Sequence, residues 1–116
     1  MNKYTLLQLD IKKMGEEEWM KIAFESYKRL VKNGKKINLN NYKVVWTDEL
    51  KAGVTFEDLY VKFNINHPEG FRGHSMSVSD IIMVELQDAK SAAEREPLYW
   101  YCDDIGFVAL SNQDFI

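Results

Sequence analysis

Between positions 67 and 80 the chain runs His67-Pro-Glu-Gly-Phe-Arg-Gly-His-Ser-Met-Ser-Val-Ser-Asp80. Two histidines, an arginine, three serines and an aspartate so close together could supply a proton shuttle, an anion clamp and a hydroxyl nucleophile. Cys102 and Asp103 could add a thiol and a further carboxylate. The spacing supports none of these chemistries strongly. No nucleophile elbow, phosphate-binding loop or paired-carboxylate pattern accompanies the cluster. His67 and His74 are separated by a proline and two glycines, and no HxxxH, CxxC or EF-hand spacing completes a ligand set. Neither a metal nor another cofactor is expected.

The same letters also make a self-satisfied loop. Gly70 and Gly73 allow the chain to reverse sharply. In an extended segment Ser75, Ser77 and Ser79 would share one side, with Met76, Val78 and Asp80 on the other. A carboxylate on an apolar side is costly unless it is hydrogen-bonded. Asp80 is therefore expected to accept bonds from nearby backbone N–H groups or serine hydroxyls, pinning the turn into the next strand. Arg72 is expected to pair with a carboxylate such as Asp103. Cys102, inside an apolar run, fits a small hydrophobe better than a reactive thiol.

The elements that must position this loop are legible from periodicity and turn chemistry. The chain has 116 residues, 46% hydrophobic and 13% aromatic, enough for one domain over 1–116 with its own core. Tyr4–Leu9 has the composition of a strand. Residues 16–32 carry the strongest helical pattern, with Trp19, Ile22, Ala23, Tyr27, Leu30 and Val31 on one face. Glutamates 16–18 suit its positive end, Lys32, Lys35 and Lys36 its negative end, and Gly34 its stop. Residues 41–47 alternate Tyr42, Val44 and Trp46 against Lys43, Val45 and Thr47, a half-buried strand.

Thr55 and Asp58 form a capping box, flanked by Val54 and Leu59 as a hydrophobic staple. It opens a helix with Phe56, Leu59, Tyr60 and Phe63 as its buried stripe, ending before His67 because Pro68 disfavours helical geometry there. Residues 80–86 form a continuous apolar run, the mark of an interior strand. Residues 87–96 read as an exposed connection with a helical turn. Two last strands, 98–102 and 107–110, flank the hairpin turn 103–106. The order β-α-β-α-β-β-β predicts an α+β fold: a mainly antiparallel sheet of four to five strands, packed against two helices on one face.

Charge narrows the function classes. The net charge is −3, but residues 1–52 carry 11 Lys/Arg against 7 Asp/Glu, and residues 53–116 carry 4 against 11. The first-half lysines are interleaved with glutamates, so direct nucleic-acid binding is disfavoured. The acidic half, with Glu85, Asp88, Glu94, Glu96, Asp103 and Asp104 expected at a common edge, suits another protein with a basic surface. A single cysteine and an N-terminus without a signal-peptide or membrane-span pattern predict a cytoplasmic protein.

The stretch "TFEDLYVKFNINHPEGFRGHSMSVSDIIMV", followed by "YWYCDDIGFVAL", resembles the YodL-like domain, a small family of Firmicutes and their mobile elements. The matching positions are Thr55, Glu57, Asp58, Phe63, Asn64, His67, Pro68, Phe71, Gly73, His74, Ser75, Ser77, Val78, Ser79 and Asp80, then Tyr101, Cys102, Asp103, Gly106 and Phe107. Coverage is strongest over 54–110. The resemblance implies a bacterial cytosolic protein, sometimes found beside antirestriction modules, and implies no catalytic residues. Its pattern takes His or Arg at position 74, an exchange no general base survives, since arginine does not give up its proton.

The expected function is a small non-catalytic protein-binding module of mobile-element or phage origin. Its sharpest form is an inhibitor of a host defence nuclease, of anti-restriction or anti-CRISPR type, acting through an acidic surface. The binding candidates are His67, Arg72, His74, Ser75, Ser77, Asp80, Asp103, Asp104, Glu94 and Glu96. The alternatives are an enzyme working from the 67–80 loop and an accessory domain without a partner of its own.

Overall fold

In the computed structural model, which describes residues 2–88 and 90–116, the two most apolar strands of the sequence lie side by side inside one sheet. The strands are β1 (Asn2–Leu9), β2 (Tyr42–Leu50), β3 (Ile81–Glu85), β4 (Leu98–Cys102) and β5 (Phe107–Ala109). Their spatial order is β2-β1-β3-β4-β5, with every neighbouring pair antiparallel. The helices are α1 (Ile11–Met14), α2 (Glu16–Ile22), α3 (Tyr27–Lys32), α4 (Phe56–Ile65) and α5 (Ala92–Arg95). This is the predicted α+β fold, with β3 at its centre. No helix among the described residues is long and apolar enough to cross a membrane.

Strand alternation divides the core in two. Tyr4, Leu6, Ile82, Val84 and Cys102 pack with Leu59 and Phe63 of α4 and with Met76. Leu7, Leu9, Ile81 and Tyr101 pack on the other face with Leu30 of α3, Ile37 and the flank of α2. The expectation that both helical regions share one face is thus overturned. β1 and β3 are apolar on both sides, and strands of that kind need cover on both.

The single helix expected over 16–32 is also broken. Ala23 is extended, Phe24 has φ 63°, and Ser26 restarts the chain as the cap of α3, its side chain accepting from the Arg29 N–H. The break is held from outside. The Phe24 N–H donates to Ser79 Oγ at 3.2 Å, and the Tyr101 hydroxyl donates to the Glu25 carbonyl at 2.6 Å. Tertiary bonds thus replace the helical ones.

In β2 the predicted alternation fails at a bulge. Leu6 faces Trp46 and Leu7 faces Val44, leaving Val45 as the extra residue. A bulge reverses the faces beyond it, so Trp46 joins the α4 core while Tyr42 stays with the α3 core. α4 has the predicted capping box and ends at Ile65 with Asn66 as its cap, but Tyr60 is 44% exposed and leaves the buried stripe to Phe56, Leu59 and Phe63.

Candidate functional site

The polar segment reaches β3 through a closed turn rather than an extended approach. The Asp80 N–H donates to the Ser77 carbonyl at 3.0 Å, and the Ser77 N–H donates to Asp80 Oδ2 at 2.9 Å. The expectation of serines along one side is therefore corrected. Asp80 accepts a backbone bond as expected, yet its second partner is no serine. Gln8, a buried side chain of β1, donates from Nε2 to Asp80 Oδ2 at 3.0 Å.

Gln8 does more. Its Nε2 also donates to the His74 carbonyl at 2.8 Å, and its Oε1 accepts from the His74 N–H at 3.1 Å. The side-chain amide thus pairs with one peptide of the loop as a neighbouring strand would. Gly73 makes that approach possible, because a Cβ there would collide with Gln8 Oε1 and the Phe71 ring. Burial pushes the Asp80 carboxyl up to about 8, outweighing the Ser77 and Gln8 N–H donors that favour its ionised form.

Ser79 joins the two faces. It is buried with φ 88°, in the third position of the turn, where glycine is the usual residue. Its N–H donates to the Cys102 carbonyl at 3.0 Å, its carbonyl accepts from the Tyr42 hydroxyl at 2.7 Å, and its Oγ takes the Phe24 N–H. Among the described residues Phe24 and Ser79 are the non-glycine positions with positive φ, and they are bonded to each other.

The remaining candidates divide by exposure. His67 is exposed, stacked edge-on near Phe71, with Nε2 3.3 Å from Ser75 Oγ. The exposed His74 ring places Nδ1 2.7 Å from the Ser75 carbonyl, which fits an Nδ1–H tautomer, and Ser77 Oγ donates to the same carbonyl at 2.8 Å. Arg72 is exposed and does not pair with Asp103. Asp103 Oδ1 instead accepts the Tyr27 N–H at 3.0 Å and the Asp104 N–H at 2.9 Å, supplying an acceptor to the first residue of α3. Cys102 is buried, and burial pushes its thiol up to about 12, so it stays protonated. Among the described residues no three His, Cys, Asp or Glu side chains converge as metal ligands.

The acidic residues do not gather at one edge. Glu85 lies 3.8 Å from Lys3, and Glu94 Oε2 accepts the Lys90 N–H at 2.9 Å. Glu96 borders a separate hollow with Leu39 and Phe115. Asp103 and Asp104 follow the opposite end of β4, about 16 Å away at roughly 3.3 Å per strand residue. There they and Glu57 of α4 border a groove of about 270 Å³, with Tyr60, Val61 and Phe107 as its apolar part. No lysine or arginine lines it.

Sequence reasoning missed Gln8 and Glu57. A lone glutamine in an otherwise apolar strand was the available signal for Gln8, since a buried amide requires partners. Glu57 was visible only as a position of the family motif and of its helix, because only the packing of α4 brings it beside Asp103.

A protein-family model described as the YodL-like domain matches residues 7–112. No curated protein and no solved structure matches the chain.

Proposed function

The chain belongs to the YodL-like domain family, and from that premise we propose that it is a small non-catalytic binding module that captures a basic segment of another protein. The observation that carries this reading is the groove between α4 and the β4–β5 turn. It offers three carboxylates, Glu57, Asp103 and Asp104, no cation, and an exposed apolar surface in Tyr60 and Val61. An acidic rim around apolar contacts suits arginine or lysine side chains flanking a hydrophobic residue. In its sharpest form the partner is a host defence nuclease encountered by a mobile element or phage, and the acidic surface occupies the basic groove meant for nucleic acid.

The polar loop supports the non-catalytic part. Asp80 and the backbone groups of His74, Ser77 and Ser79 are engaged in holding the turn, and Cys102 is buried as a thiol. One contact favours the enzymatic alternative: Ser75 Oγ lies near His67 Nε2, the arrangement of a nucleophile and its base.

Capture from host lysate at about 0.1 M and about 1 M salt tests the proposal, because the Debye length falls from about 10 Å to about 3 Å over that range. The paired reversal Glu57→Lys/Asp104→Lys should lose the partner, as should high salt. Glu94→Lys/Glu96→Lys, away from the groove, should retain it. Each pair should fold normally, since exposed substitutions cost about 0.5 kcal/mol or less. Equal retention in every condition overturns the acidic groove, and no captured protein favours the accessory domain. A hydrolytic activity that vanishes in Ser75→Ala would establish the enzyme instead.

A further inference from the structure

The two edges of the sheet differ in how they meet a further strand. β2, the long edge, is guarded. A bulge interrupts it at Val45, and Lys43, Asp48 and Glu49 place charges along it. The Tyr42 carbonyl accepts from Lys13 Nζ at 3.4 Å, and the Glu49 N–H donates to Asp48 Oδ1 at 2.8 Å. Bulges, charges and covered backbone groups are the means by which an edge strand resists pairing.

β5 carries no charge and no bulge. The Asp103 N–H donates to the Gly106 carbonyl at 3.0 Å and the Leu110 N–H to the Tyr99 carbonyl at 2.9 Å, and Val108 faces Tyr101 between those pairs. Bonded pairs alternate along an antiparallel ladder. Phe107 and Ala109 therefore turn both N–H and C=O away from β4, and no other described backbone group bonds them. Ala109 is exposed, and Phe107 lies half-buried against Phe56 of α4, with ring centroids 5.4 Å apart. Phe107 also lines the acidic groove with Glu57, Asp103 and Asp104. The open edge thus runs into the carboxylates.

We propose that β5 takes up an extended basic segment of another protein as a further strand, antiparallel to β5 like every neighbouring pair in the sheet. This rests on the acidic groove as the site of capture and deepens that reading, by giving the partner a conformation and a residue pattern. Its residues opposite Ala109 and Phe107 exchange as many as about four hydrogen bonds with them. Their side chains fall on the α4 side, where Phe107 packs, and are apolar. The next residue on that side lies about 7 Å past Phe107, beside the carboxylates of the groove, and is arginine or lysine. From N- to C-terminus the pattern is apolar-x-apolar-x-cation. A second copy of this chain fits poorly, because it would bring its own Glu57, Asp103 and Asp104 to the same edge, and its β5 carries no cation.

Fluorescence anisotropy of the whole protein with a labelled synthetic peptide tests it: valine and threonine alternating over four residues, then arginine, threonine, arginine. Expected is saturable binding that slows amide exchange at Phe107 and Ala109. N-methylation of the second valine, whose N–H faces β5, should weaken binding by about tenfold, the loss of one hydrogen bond. N-methylation of the threonine after it, whose N–H faces away, should not. Ala109→Pro removes an outward N–H and no bond to β4, so it should fold and bind about tenfold more weakly. Ala109→Thr, which keeps the N–H, should bind like the wild type. If the proline variant fails to fold, the two methylated peptides decide. Loss of the peptide in Glu57→Lys/Asp104→Lys, with the methylated valine and Ala109→Pro binding unchanged, keeps the groove and overturns the added strand. Weakening by the backbone changes but not by the charge reversal keeps the strand and overturns the groove. The added strand is also overturned if the peptide does not bind, or if the protein is a dimer that Ala109→Pro dissociates.

Discussion

The two faces of the sheet are fastened by different chemistry. On the α4 face the loop is held to β1 by Gln8 and to its own turn by Asp80, a buried carboxyl pushed up to about 8. On the α3 face the fastenings are tyrosine hydroxyls. Tyr42 reaches the Ser79 carbonyl, Tyr101 the Glu25 carbonyl, and Tyr27 the Asp114 carboxylate at 2.6 Å. Burial, above all, raises Tyr42 and Tyr101 well beyond the ordinary tyrosine range. Asp114 moves opposite to Asp80. Burial alone would raise it, but the Ser111 N–H, the hydroxyls of Tyr27 and Ser111, and Lys36 together hold it low. The α4-face fastening thus includes a carboxyl that burial brings toward titration near neutral pH. Position decides the sign: Asp80 is almost fully enclosed, while Asp114 has three stabilising neighbours, Ser111, Tyr27 and Lys36, and access to water.

The largest expected effect comes from removing the α4-face fastening. Asp80→Ala strands the Ser77 N–H and one Gln8 donor and should lower stability by about 1–3 kcal/mol. Denaturant unfolding measures it, and an unchanged midpoint would release Asp80 from its structural role. The next effect is one of pH. The Asp80 pKa is higher in the folded state than the ordinary 3.8, so its contribution is complete below about pH 4 and is lost as pH rises through about 8. Over that interval the wild type should lose stability relative to Asp80→Asn, at no more than about 1.4 kcal/mol per pH unit. Parallel pH profiles for the two proteins would remove the contrast between the faces.

Tyr101→Phe should cost less, about 0.5–1.5 kcal/mol for one hydrogen bond, by the same amount at pH 5 and pH 8. A pH-dependent cost there would show that the α3 face shares the titration. The smallest effect belongs to His74→Arg, expected within about 0.5 kcal/mol by thermal melting. Gln8 grips the peptide of residue 74, and the ring is exposed. A larger loss would mean that the ring, too, fastens the loop.

Much of the fold was legible because its causes act over a few residues. The capping box at Thr55 and Asp58 spans one turn, the apolar run 81–86 announces an interior strand, and Gly106 with φ 71° closes the hairpin that its turn letters predict. The separation of the two core clusters was only half visible. Alternation along β3 and β4 assigns side chains to two faces, but nothing local assigns a helix to either. Of the loop, the need to satisfy Asp80 was readable from the cost of burying a carboxylate; the identity of its second partner was not.

Composition and local pattern by themselves determined one α+β domain, its strands, α4 and the YodL-like motif. Tertiary structure alone decided the break at Phe24, the bulge at Val45, the Gln8 grip and the dispersal of the acidic residues. The physical reason is distance along the chain. Helical periodicity and capping are settled within about four residues. The bond that holds Phe24 out of the helix comes from a residue 55 positions away, and the one from Gln8 to Asp80 spans 72. Such bonds form only once β1, β3 and β4 have assembled, and their donors and acceptors are ordinary letters until then.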